Sequence, residues 1–250
     1  MNHIDDIERV IDLDQLYKMR GSFDNHTFDG FCLTIDDFYE NAEDLYQHLI
    51  NRQYPLWKYN SESNTRNGID YFDCRIVDKV GHPTRLYEND QQRLLDLCRR
   101  YFWKGDYEWS RLYEFNCFKT AEVFSKDMQH YPHIDSALNT PDHLSTLNML
   151  VYLDKQEDGG TAIYDGEWIT NDENMALLYP VEERFNIRQV IPAKFNRCVI
   201  FPGNCMHGAY VNDYHKYLEN WRFTQVTFYH PQGGQSVSYT HLRAHETSHH

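Results

Sequence analysis

The chain has 250 residues and a formal net charge of -14, with 24 Lys and Arg set against 38 Asp and Glu. That balance repels phosphate backbones, and no stretch gathers the basic residues into a stripe, so a nucleic-acid footprint is excluded. No apolar run is long enough to cross a bilayer, and the opening MNHIDDIERV is acidic where a signal peptide is basic and then apolar, which leads us to expect a soluble, cytoplasmic protein with no membrane attachment.

The length suits one domain, expected over residues 1–235, with helical support in about 1–105 and a β core in about 107–230. The end of the chain, SVSYTHLRAHETSHH (236–250), breaks the apolar periodicity and reads as an appended tail. Six cysteines without a CxxC pair fit free thiols better than a disulfide framework or a zinc ribbon.

The run from Phe28 to Phe38 predicts a strand. After it, Asn41 can cap a helix whose apolar residues Ala42, Leu45, Tyr46, Leu49 and Ile50 share one face. A second helix is expected over 89–102, with Leu94, Leu95, Cys98, Tyr101 and Phe102 on one side, Asp90 in the first turn, and Arg99 and Arg100 in the last, where the helix dipole favours them. From about residue 107 the pattern changes to short aromatic and β-branched runs punctuated by Gly, Pro, Asn and Asp, the mark of an antiparallel sandwich or barrel. The expected strands are RLYEFNCFK, STLNMLVYL, TAIYD, RQVIPA, RCVIF and RFTQVTFYH, with KQEDGG turning the second into the third. The polar stretch Gly166 to Arg188 is a candidate loop or lid.

Chemistry concentrates in HYPHIDSA. In an extended segment His133 and Asp135 point to the same side, so an imidazole and a carboxylate can reach one metal ion. The tripeptide alone is weak, since His3-Ile4-Asp5 repeats it near the start. Its downstream context strengthens it: a strand, a Gly-Gly turn, another strand, and then RCVIFPGNCMHGAYV, where a buried strand ends at Pro202-Gly203 and the turn delivers His207. Two imidazoles and one carboxylate on one face of an ion leave the other positions open, the arrangement of iron(II) enzymes that take a cosubstrate and dioxygen, whereas structural zinc favours a closed tetrahedron. A remote carboxylate on such a cosubstrate is best gripped by a guanidinium, and Arg222 on RFTQVTF, with Thr224 on the same face, can supply that fork. On STLNMLVYL the alternation puts Asn148, Leu150 and Tyr152 on one side, and Asn148 and Tyr152 are polar for a purely apolar core.

The order HxD, a strand ending in YLD, GGT-xx-Y, FPG-xxx-H and R-x-T, over about residues 107–230, resembles the iron(II)- and 2-oxoglutarate-dependent oxygenases of the prolyl hydroxylase type. The DDFYEN segment and its helix also resemble a bacterial and phage-associated branch of them. The resemblance implies a mainly β fold with flanking α-helices, a cupin-like double-stranded β-helix or jelly roll. It implies iron ligands at His133, Asp135 and His207, the distal 2-oxoglutarate carboxylate at Arg222 with Thr224, and a further cosubstrate contact at Tyr152 or Asn148. The cofactors would be Fe(II), 2-oxoglutarate and O2, and the reaction hydroxylation of a small-molecule, amino-acid or peptide substrate. Asp135 stands where the halogenating branch carries a small residue. The 15 residues from His207 to Arg222 exceed the usual separation by the insertion NDYHKYLEN, which keeps Arg188 and Arg197 open as alternatives.

Two other classes share such a barrel: a cupin-type metal enzyme that uses no 2-oxoglutarate, generally richer in histidine, and a catalytically silent binding barrel. Blander readings stand beside several residues. Cys205 reads as a small buried hydrophobe rather than a thiolate ligand, and Tyr164 and Trp168 are as well suited to a core as to stacking on substrate. The acidic residues Asp106, Glu108, Glu114, Asp172 and Glu173 read as a solvated face, and His130 as a neighbour of the ligands rather than a fourth one.

Overall fold

The computed structural model describes residues 18–50, 58–59, 69–77, 85–102, 107–109, 112–120, 134–136, 145–166, 185–217, 220 and 222–231. His3, Asp5, Asp106, His130, His133, Trp168, Asp172, Glu173, residues 167–184 of the expected lid and the tail 236–250 lie outside the described residues. The elements, in chain order, are β1 (His26–Phe28), β2 (Leu33–Ile35), α1 (Ala42–Ile50), β3 (Lys58–Tyr59), β4 (Ile69–Val77), α2 (Arg85–Tyr101), β5 (Tyr107–Trp109), β6 (Leu112–Thr120), β7 (Leu147–Tyr152), β8 (Gly160–Gly166), β9 (Phe185–Pro192), β10 (Arg197–Pro202), β11 (His207–Tyr210), a 3-10 turn (Tyr214–Tyr217) and β12 (Arg222–Pro231).

The strands pair antiparallel in two sheets. The larger runs β1-β2-β10-β7-β12-β6-β4-β3, with β5 on the far end of β12, and the smaller runs β11-β8-β9. From β7 onward the chain alternates between them: β7 belongs to the large sheet, β8 and β9 to the small, β10 to the large, β11 to the small and β12 to the large.

The two faces of the large sheet carry different chemistry because side chains alternate along every strand. Leu147, Met149 and Val151 on β7, Cys198 and Ile200 on β10, and Leu33 and Ile35 on β2 share one buried cluster with Leu45 of α1 and Leu94, Leu95 and Cys98 of α2. The helices therefore cover this face, each buried aliphatic side chain contributing roughly 1.5–3 kcal/mol. On the opposite face Tyr152, Val199 and Phe201 meet Ile163 and Ile191 of the small sheet in a second cluster. The site residues lie on this second side.

The N-terminal third differs from its sequence reading. The run expected as one strand from Phe28 to Phe38 is split into β1 and β2, paired from His26↔Ile35 to Phe28↔Leu33. Asp29 causes the break: its Oδ1 accepts the amides of Phe31 and Cys32 (2.9 and 2.7 Å), an Asx-type turn that folds the chain back. This third also gives four strands to the large sheet, beyond the helical support expected of it. α2 begins at Arg85, so Asp90 falls in its second turn, while Arg99 and Arg100 do occupy the last. The six strands expected from residue 111 onward are all present as β6 to β10 and β12.

Specific contacts fix how distant segments pack. Asn196, in the left-handed region (φ 63°), accepts the Tyr39 amide with its side-chain oxygen and donates its side-chain nitrogen to the Tyr39 carbonyl, both at 2.9 Å. The β7–β8 turn ends on Gly159, whose φ of 62° brings the chain against β11; a Cβ there would lie 2.0 Å from the Tyr210 carbonyl oxygen. Gly159→Ala combines that clash with left-handed strain, and we expect it to destabilise the fold by about 3 kcal/mol or more, read as a lowered urea midpoint.

Candidate functional site

The site grows from the Pro202-Gly203 turn. Gly203 sits where β10 leaves the large sheet, its amide on the Thr146 carbonyl (2.6 Å) and its own carbonyl receiving the amides of Asp135 and Ser136 at 2.8 and 3.2 Å. A Cβ on Gly203 would come within 2.9 Å of Asn148 Oδ1 and 3.1 Å of the Thr146 carbonyl, so only glycine brings the three segments this close. Two buried hydroxyls tie the cradle: Ser136 Oγ and Ser145 Oγ lie 2.9 Å apart, Ser136 Oγ accepts the Thr146 amide and Ser145 Oγ the Asn204 amide.

Two side chains then converge. His207, the first residue of β11, is 5% exposed, and its Nε2 lies 3.1 Å from Asp135 Oδ2. Its other nitrogen, Nδ1, faces the Cys205 carbonyl at 3.1 Å, which fixes the ring and aims Nε2 at the carboxylate. Phe201 packs against the imidazole, with 4.9 Å between ring centroids. Asn148 donates Nδ2 to Asp135 Oδ2 at 2.5 Å. Burial works against a charge on His207, but the Asp135 carboxylate beside it outweighs that and raises the imidazole pKa to about 10. Among the described residues no group of three His, Cys, Asp or Glu side chains could hold a metal ion. The pair Asp135 and His207 is what these residues contribute, and His133, two positions before Asp135, lies outside them.

The second end of the site lies along the same face. Thr224 of β12 pairs with Tyr152 of β7, as Phe228 pairs with Asn148. Arg222, 5% exposed, donates NH1 to Thr224 Oγ1 at 3.2 Å and NH2 to the Gly160 carbonyl at 2.8 Å, which suspends the guanidinium between the two sheets. Tyr152 bridges the same gap, its hydroxyl 2.6 Å from Thr161 Oγ1 on β8. Burial pushes the Tyr152 phenol above its usual range, so it stays neutral and available for hydrogen bonding. Asn148 and Tyr152 are four residues apart on β7, about 13 Å along a strand. On the facing β8, Ile163 pairs with His207 and Gly160 receives Arg222, a span of about 10 Å.

The alternative arginines are engaged elsewhere. Arg197 forks onto Asp36, Nε to Oδ1 at 2.6 Å and NH2 to Oδ2 at 3.1 Å, and gives NH1 to the Pro192 carbonyl. Arg188 is 42% exposed, with its guanidinium 4.7 Å from the Phe31 ring centroid and 3.6 Å from Asp165. The Arg197 hydrogen bonds, and then Lys194, hold the Asp36 carboxyl below the usual carboxylate range against the opposing effect of burial. A depressed carboxyl gives stability that is present above its unfolded value and lost as pH falls through the folded one. Asp36→Asn is expected to cost about 1 kcal/mol at neutral pH. Its urea midpoint should converge with that of the wild type in acid.

Asp135, Asn148 and His207 thus meet at one end and Tyr152, Arg222 and Thr224 at the other. Cys205 supplies a backbone carbonyl and packs at the edge of the inter-sheet cluster. Tyr164 lies among Ile134, Ala162 and Met206. Sequence reasoning missed Gly160, Thr161, Ser136 and Ser145; the Asp158-Gly159-Gly160-Thr161 turn was a signal for the first two, while nothing in the sequence singles out the two serines.

No protein-family profile matches the chain, and neither does any curated protein. Among solved structures it is similar to a prolyl 4-hydroxylase from Phytophthora capsici, at 14% identity and a TM-score of 0.42, spanning 81% of this chain but 59% of that one. It is similar to a Pseudomonas putida prolyl-4-hydroxylase at 9% identity and a TM-score of 0.44, over 80% of this chain and 92% of the other. It is also similar to HygX from Streptomyces hygroscopicus, a structure with nickel, 2-oxoglutarate and hygromycin B bound, at 15% identity and a TM-score of 0.44 over 88% of each chain. At identities this low, the functional reading rests on the chain's own residues.

Proposed function

We propose that the chain is a single-domain non-haem iron(II), 2-oxoglutarate-dependent dioxygenase with a double-stranded β-helix core. It hydroxylates a C–H bond of a small molecule, amino acid or peptide side chain and releases succinate and carbon dioxide. The observation that carries this reading is the approach of His207 Nε2, buried, to Asp135 Oδ2, half-buried, at 3.1 Å. An imidazole and a carboxylate this close could reach one metal ion together, and they are the donor types that an iron(II) site would use. His133 would complete the set, on the same side of an extended segment as Asp135. The alternation of β7 to β12 between the two sheets supports the jelly-roll assignment.

The chain's residues divide the work. His207, Asp135 and His133 would hold the ion; Asn148 and the Gly203 carbonyl orient Asp135, and the Cys205 carbonyl orients His207. Arg222 and Thr224 would take the distal carboxylate of the cosubstrate, at the other end of a face that runs about 10–13 Å along the strands. The Tyr152–Thr161 bridge and the cluster around Phe201 exclude water between the sheets. Iron(II) and 2-oxoglutarate held there would supply the oxidising chemistry. The test is an anaerobic titration with iron(II) and 2-oxoglutarate, which should develop a weak visible charge-transfer band; its absence from folded, iron-loaded protein refutes the assignment.

A further inference from the structure

The insertion between β11 and β12 is held at two points by the β7–β8 turn. Asp158, 3% exposed, accepts the amides of Asn212 and Asp213 on Oδ2 at 2.8 and 3.0 Å, and Lys216 Nζ lies 3.5 Å from its Oδ1. Asp154, 2% exposed, accepts the Gln156 amide on Oδ1 at 2.9 Å, while the hydroxyl of Tyr217, itself fully buried, donates to its Oδ2. The turn leads into Gly160, the first residue of β8, whose carbonyl takes the Arg222 guanidinium, and Leu153 at its start donates its amide to the Phe223 carbonyl at 3.1 Å. A short stretch of chain therefore grips the insertion, the start of β12 and the arginine together.

Burying a carboxylate is costly unless its oxygens are met, and here both oxygens of Asp154 are met by neutral donors. The register that pairs Thr224 with Tyr152 continues through the Leu153–Phe223 hydrogen bond and puts Arg222 across from Asp154, where its positive charge acts against burial at both Asp154 and Tyr217. Remove the Tyr217 hydroxyl, and the cheapest way to satisfy Asp154 is to turn it toward that guanidinium.

We infer that Tyr217 is a positioning residue: by occupying Asp154 it keeps the Asp154 carboxylate off Arg222 and so preserves the arginine for the distal carboxylate of a 2-oxo diacid. The insertion, which lengthens the spacing from His207 to Arg222, is then a part of the cosubstrate grip. This inference rests on the assignment of 2-oxoglutarate as cosubstrate.

The test compares 2-oxoglutarate with 2-oxobutyrate, which has the same chelating head and no distal carboxylate, by calorimetry on anaerobic iron(II)-loaded protein. Tyr217→Phe should weaken 2-oxoglutarate binding about tenfold, as for loss of a hydrogen bond to a charged group, and leave 2-oxobutyrate within about twofold. Adding Asp154→Asn removes the competing charge and should restore most of the lost affinity, whereas damage to a merely structural residue would add to it. Asp154→Asn alone should bind 2-oxoglutarate at least as tightly as the wild type. Equal loss of both acids in Tyr217→Phe, no loss, or further loss in the double variant overturns the inference. Should Tyr217→Phe not fold, weaker 2-oxoglutarate binding by Asp154→Asn overturns it equally. A wild type that binds both acids alike overturns the cosubstrate assignment itself, and this inference with it.

Discussion

His207→Gln is expected to abolish iron(II) binding and, with it, all 2-oxoglutarate turnover. The substitution keeps a polar side chain of similar reach but replaces a directed imidazole lone pair by an amide that binds iron poorly, in a setting where the ring is fixed by the Cys205 carbonyl and the Phe201 edge. Loss of an outer partner of a metal ligand typically costs about 10- to 100-fold in affinity, and loss of the ligand itself should exceed that. Calorimetric iron titration reads the effect, and iron binding close to that of the wild type would remove His207 from the ligand set. His133→Gln should do the same. Asn148→Ala, which takes the amide from Asp135 but leaves every ligand in place, belongs in the smaller range.

Arg222→Gln should weaken 2-oxoglutarate binding by about 100-fold or more while leaving iron affinity within a few fold, since truncating one side of a buried charge pair costs about 2–5 kcal/mol. Part of the loss lies in the protein: the Gly160 carbonyl loses its donor, an unsatisfied buried group worth about 1–3 kcal/mol. A thermal melt of the ligand-free variant separates that part from the binding effect. Arg222→Lys should rescue little, because an ammonium cannot donate in one plane to Thr224, to Gly160 and to a carboxylate. Arg197→Gln is the control, with its guanidinium forked onto Asp36: it should lose stability and keep 2-oxoglutarate affinity. Unchanged 2-oxoglutarate affinity in Arg222→Gln would move the distal carboxylate to another residue.

The strands β6 to β10 and β12 were legible because period-two alternation was strong and each run ended at a turn residue. That is why Asn148, Tyr152, Arg222 and Thr224 could be put on common faces from the sequence alone. β11 was not separable from the turn before it: four residues, HGAY, carry too little pattern. The β1–β2 hairpin was missed because the Asp29-Gly30 pair was read through as part of a strand, whereas the reversal depends on the Asp29 carboxylate capping two amides. The link from Tyr217 to Asp154 joins residues 63 apart, through a segment whose Asn, Asp, His, Lys and Glu content reads as solvated surface. Polarity in a sequence says that a group needs partners; it does not say whether those partners are water or protein.

β10, the strand that leads to Gly203 and His207, is an interior strand because β2 pairs along it from Leu33↔Ile200 to Ile35↔Cys198. β6 is flanked in the same way by β4, from Ile69↔Thr120 to Val77↔Leu112. A fragment starting near residue 107 would keep every expected catalytic side chain and expose both strands as bare edges, with Val199, Ile200 and Phe201 on one of them. Unpaired, apolar edges of that kind recruit other chains. Trimming this protein to a minimal catalytic barrel should therefore yield aggregate, and loss of the N-terminal third should be felt first as insolubility.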